Sequence, residues 1–73
     1  MPTTTYIIRF AHRVPTYSAP YEEQEYTTLA TAWESFRLFA EPDSAEMYSH
    51  IELVEYDYTE ATERMIARME FGF

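Results

Sequence analysis

The side chains able to do chemistry in this chain are mostly carboxylates. Glu23 and Glu25 are two residues apart, and so are Glu55 and Asp57. On an extended strand that spacing sets each pair on one face, about 6.6 Å apart. Successive phosphates of one DNA strand rise by about 3.4 Å each, so rows of carboxylates can occupy a groove built for a phosphate backbone. Sets suited to catalysis are poorly represented. His12 and His50 are far apart and the chain has no cysteine, so no zinc pattern exists. Glu52, Glu55 and Asp57 would hold calcium or magnesium only weakly, because no twelve-residue loop with its glycine accompanies them. Ser49 precedes His50, but neighbours on a strand point to opposite faces, so no nucleophile–base pair is expected. The single glycine, Gly72, leaves no phosphate-cradling loop. No catalytic residue, metal or cofactor is expected, and the chain reads as a non-enzyme.

Charge is the stronger signal. Thirteen acidic residues stand against five arginines and no lysine, for a formal charge of −8 on 73 residues. Twelve of the acids lie between Glu22 and Glu63, where only Arg37 offsets them, so that stretch carries −11. Such a surface repels itself, attracts proteins with basic grooves and disfavours contact with nucleic acid or anionic membrane. Five arginines against thirteen acids disfavour phosphate binding; Arg9, Arg13, Arg64 and Arg68 would gather on one sheet face if the two terminal strands paired, but the favoured expectation is salt bridges with neighbouring glutamates. The absence of cysteine in so short a chain favours a cytoplasmic setting over a secreted one. No apolar run approaches the roughly 20 residues needed to cross a bilayer.

The elements that must position these groups follow from periodicity. Residues 1–73 make one domain. Thr3–Val14 alternates with period two and predicts a strand with Tyr6, Ile8 and Phe10 inward and Arg9 and Arg13 outward. Pro15–Pro20 predicts a loop, and Tyr21–Thr27 a polar edge strand paired with the first. Thr28–Glu41 predicts a helix: Leu29, Ala32, Trp33, Phe36, Phe39 and Ala40 form one stripe, Thr27 or Thr28 offers the N-cap oxygen, and Pro42 stops the helix. Glu34 and Arg37 are placed to pair on its outer side. Asp43–Glu46 reads as a turn. Met47–Tyr58 predicts a strand with Ile51 and Leu53 on one face and Val54, Tyr56 and Tyr58 on the other; a bulge near Leu53–Val54, or partial cover of both faces, would explain the change of face. Thr59–Ala61, lacking glycine, suggests a longer loop. Thr62–Phe71 reads as a last strand with Met65, Ala67, Met69 and Phe71 inward, with a helix over Glu60–Met69 as the alternative. The order strand–strand–helix–strand–strand implies an α+β fold: a small two-layer sandwich, one helix on a short antiparallel sheet of three to four strands.

In size, element order, lack of cysteine and its acidic block Glu22–Glu63, the chain resembles the small acidic proteins of phages and mobile elements, in particular anti-CRISPR proteins. The segments Ala32–Phe39 and Glu52–Tyr56 carry the likeness. The resemblance implies a DNA mimic, acting in the cytoplasm of a bacterial host, that occupies a basic DNA-binding surface of a CRISPR effector and blocks target DNA binding. The expected partner-binding residues are Glu22, Glu23, Glu25, Asp43, Glu46, Glu52, Glu55 and Asp57, with Tyr21, Tyr56 and Tyr58 as aromatic anchors. The competing expectation is a structural or interaction module, or a homodimer, whose acidic surface serves solubility alone.

Overall fold

The computed structural model describes residues 3–12, 21–41 and 47–71. It contains β1 (Thr4–His12), β2 (Tyr21–Tyr26), α1 (Leu29–Phe39), β3 (Tyr48–Asp57) and β4 (Thr62–Glu70). The strands form one antiparallel sheet in the order β2-β1-β3-β4, with the helix packed on one face. This is the expected α+β architecture. The arginines of the first and last strands do not sit on paired strands, because β3 lies between them. The expected arrangements of Arg13, of Pro15–Pro20 and of Asp43–Glu46 fall outside the described residues.

The core forms where the period-two face of the sheet meets the period-3.6 stripe of the helix. Ile8, Ile51 and Leu53 are fully buried, and Phe10, Phe36, Ala32 and Phe71 close around them. Phe10 meets Phe39 edge-to-face at 4.7 Å, and Trp33 meets Phe36 likewise at 5.6 Å. In so small a domain, aromatic rings supply core area that few residues could otherwise provide. Thr28 caps the helix: its extended backbone lets the hydroxyl accept from the Thr31 N–H. The helix ends at Phe39, two residues short of the expected Glu41, and the Ala40 N–H closes its last turn on the Phe36 carbonyl. Glu34 and Arg37 form no ion pair among the described residues.

An irregularity in β4 revises the expected phase. Leu53 pairs with Ala67 and Val54 with Met65, so Ile66 is an extra residue in β4. Such a bulge turns successive side chains onto one face: Ile66 and Ala67 both pack against the core, while Met65 is moved to the opposite face and is 49% exposed. Met65 is therefore not inward as the alternation predicted. Val54 is also buried, on the side away from the helix, while β3 alternates without interruption through Leu53 and Val54, so cover of both faces explains the change of face and the bulge lies in β4 instead. The turn after β3 is short, Tyr58–Ala61, rather than a longer loop: Ala61 itself adopts the left-handed region at φ 55°, and Asp57 accepts from the N–H groups of Thr59 and Glu60. Thr62–Glu70 is strand, which excludes the helical alternative.

Candidate functional site: the open face of the sheet

The helix covers one face of the sheet, and the registers show what stands on the other. One row across the four strands reads Glu23, Arg9, Glu52, Arg68, from β2 through β1 and β3 to β4. Charge alternates at every step, and opposite charges facing each other across strands stabilise by about 0.2–1 kcal/mol per pair. The neighbouring row is Glu25, Ile7, Val54, Met65, and the next carries Thr5, Tyr56 and Glu63.

Each described arginine of this face is shared between carboxylates. Arg9 donates through Nε to Glu23 at 2.9 Å and through Nη2 to Glu63 at 3.2 Å, reaching across β3 to do so. The Glu23 hydrogen bond raises the Arg9 pKa above its ordinary value against the opposing pull of partial burial, and Glu63 adds to the rise. Arg68 lies 3.5 Å from Glu52 and 2.9 Å from Glu70. Glu25 is held by hydroxyls: Thr5 donates to it at 3.1 Å, and Tyr58 donates to the same oxygen. That bond favours the protonated phenol and pushes the Tyr58 pKa up. Tyr58 is 56% exposed and stands edge-to-face with Tyr56 at 4.8 Å.

The open face thus carries Glu23, Glu25, Glu52, Glu63 and Glu70 against Arg9 and Arg68, together with the Tyr56–Tyr58 pair. Of the residues singled out in the sequence, Glu23, Glu25, Glu52, Tyr56 and Tyr58 are brought together here. Glu22, Glu55 and Asp57 project from the helix side instead. There Glu22 lies 3.3 Å from His12, Arg64 reaches Glu55 at 3.2 Å, and Asp57 is engaged in the turn. The rows Glu23–Glu25 and Glu55–Asp57 therefore lie on opposite faces and do not join into one line. Asp43 and Glu46 lie outside the described residues, and for Tyr21 only the strand position is described. Glu63 and Glu70 complete the face but were not singled out. Their signal was the charge on β4, readable only once the register with β3 was known.

Ser49 and His50 depart from strand alternation. The pairing of β1 with β3 slips between Ala11 and His12, leaving Ser49 as an extra residue. Its Oγ comes within 3.4 Å of His50 Nδ1 and 3.5 Å of the Ala11 carbonyl, while His50 Nε2 lies 3.3 Å from Glu52. The hydroxyl can donate its one proton to the Ala11 carbonyl or, in the tautomer that leaves Nδ1 without a proton, to His50, and Glu52 is also engaged by Arg68. These contacts tie the slipped segment to the ladder of charges. Among the described residues no three His, Asp or Glu side chains gather as a metal set, and no helix is long and apolar enough to cross a membrane. No protein-family model, curated protein or solved structure matches this chain.

Proposed function

We propose that this protein is a non-enzymatic acidic binding protein that occupies a basic, nucleic-acid-binding surface of another protein and competes there with DNA. The observation that carries the reading is the charge of the open sheet face. Among the described residues five carboxylates stand there against two arginines, each already bracketed by two of those carboxylates, so the described part of the face carries an excess of anionic oxygens. The salt bridges fix the carboxylates in place as well as neutralising part of their charge. Exposed Tyr58, set edge-to-face on half-buried Tyr56, gives the same face an aromatic anchor, the residue type enriched where interfaces concentrate their energy. A CRISPR effector is the partner class that the anti-CRISPR resemblance implies.

The test is capture from a bacterial lysate at low salt, using the wild-type chain and a Glu23→Gln/Glu25→Gln/Glu63→Gln variant as baits. Support consists of nucleic-acid-binding proteins that are retained by the wild type, lost on the neutralised bait and released by added duplex DNA. Retention that ignores both DNA and rising salt overturns the reading, because electrostatically steered association must weaken as salt screens it.

A further inference from the structure

The sheet has two edges with different charge. β2 carries Glu22, Glu23 and Glu25 and no cation, so two such edges brought together would oppose carboxylate to carboxylate. β4 carries Glu63, Arg64, Arg68 and Glu70 and is neutral in a chain of charge −8. We infer that the β4 segment Ala67–Phe71 pairs antiparallel with the same segment of a second copy, about a two-fold axis through Met69, giving one continuous eight-stranded sheet.

The backbone and side chains agree on this register. The Phe71 N–H donates to the Ser49 carbonyl at 3.0 Å, so the peptide groups of Phe71 aim at β3. Direction alternates along an antiparallel strand, so those of Glu70 and Arg68 aim outward, off the edge of the sheet. An axis at Met69 puts Arg68 opposite Glu70 of the second copy, and Glu70 opposite its Arg68. Each opposed pair then exchanges two backbone hydrogen bonds. The side chains of Arg68 and Glu70 share the open face and already meet at 2.9 Å within one chain, so the dimer closes a ring of four alternating charges. Met69, 40% exposed on the helix side, meets its own copy on the axis. The helix packs chiefly on β1, β2 and β3 and leaves this edge clear. The Ile66 bulge ends the usable run at Ala67.

A five-residue edge buries little surface and belongs with weak interfaces, so association is micromolar or weaker. Its salt dependence is opposite to that expected of a basic partner. Two chains of charge −8 repel, and screening favours the dimer.

Sedimentation equilibrium of the full chain, from micromolar to millimolar and at low and high salt, tests the proposal. A monomer–dimer equilibrium that tightens with salt is expected. Glu70→Pro deletes an outward N–H without touching the β3 ladder, a placement that edge strands tolerate, and should weaken the dimer roughly tenfold or more with the circular dichroism unchanged. Glu70→Arg, at an exposed side chain, should weaken it by setting arginine against arginine, and Arg68→Glu with Glu70→Arg should restore it. Should Glu70→Pro fail to fold, the charge series decides. A chain that stays monomeric at millimolar concentration in high salt overturns the proposal, as does a dimer indifferent to Glu70→Pro and Glu70→Arg.

Discussion

Replacing Arg9 by Met removes one charge and keeps an apolar stem of similar length, so it isolates the electrostatic part of the open face. Among the described residues Arg9 makes ion pairs at 2.9 and 3.2 Å to glutamates that are 43% and 46% exposed, while Arg9 itself is 27% exposed. Half-exposed pairs are worth about 0.2–1 kcal/mol each once solvent screening is included. Their loss also leaves Glu23 and Glu63 beside Glu52 with no intervening cation. The expected cost is about 1–2 kcal/mol, a substantial part of the roughly 4–11 kcal/mol that a domain of this size possesses. For so small a domain, each kcal/mol lowers Tm by about 4–8 °C. Thermal melts of the wild type, Arg9→Met, Glu63→Gln and the double variant give the coupling between Arg9 and Glu63 directly. The double variant should cost less than the sum of the two singles. At high salt the penalty should fall to half or less, because these charges are partly solvated. An Arg9→Met protein as stable as the wild type at low salt, or a penalty that salt does not reduce, would refute the account of the ladder.

Three further outcomes are expected. Tyr48, raised chiefly by burial and further by Glu22, and Tyr58, raised chiefly by its bond to Glu25, both ionise above the ordinary value of 10.0. A folded-state value above the unfolded one contributes stability in full below pH 10 and loses it as pH climbs through the folded value, so alkaline unfolding should coincide with a late step in the phenolate absorbance titration. Ala61→Gly removes the cost of holding a Cβ at φ 55° and should raise stability by about 0.5–1 kcal/mol in denaturant melts. Leu53→Ala, at a fully buried site, should cost about 2–5 kcal/mol, enough to leave the domain partly unfolded at 37 °C by circular dichroism.

How much could be read from the sequence depended on whether a pattern had a marker for its phase. The helix had one. Ala32 and Phe36, four residues apart, are its buried positions, and Thr28 supplies the cap. β1 had one too, since Ile8 and Phe10 alternate with the charged Arg9. In β4 the run Met65-Ile66-Ala67 is apolar throughout, so an inserted residue changes no letter of the pattern and the displacement of Met65 is invisible. Period two places Glu23 with Glu25 and Glu55 with Asp57, but it does not say whether the two pairs share a face. That follows from Arg9 pairing with both Glu23 and Glu52, a long-range register that local spacing does not encode. Ser49 and His50 show the same limit, because the slip in pairing arises between two strands and not within one.

The footprint of the helix divides the sheet unequally. Its three covered strands share the apolar centre, whereas the fourth hangs on β3 through its hydrogen-bond ladder and a few contacts from Ile66, Ala67 and Phe71. Detaching that ribbon uncovers far less oily surface than melting the whole domain. Its amides should therefore exchange with deuterium through a partial opening of low cost, ahead of those in β1. A trimming protease would find its first foothold there.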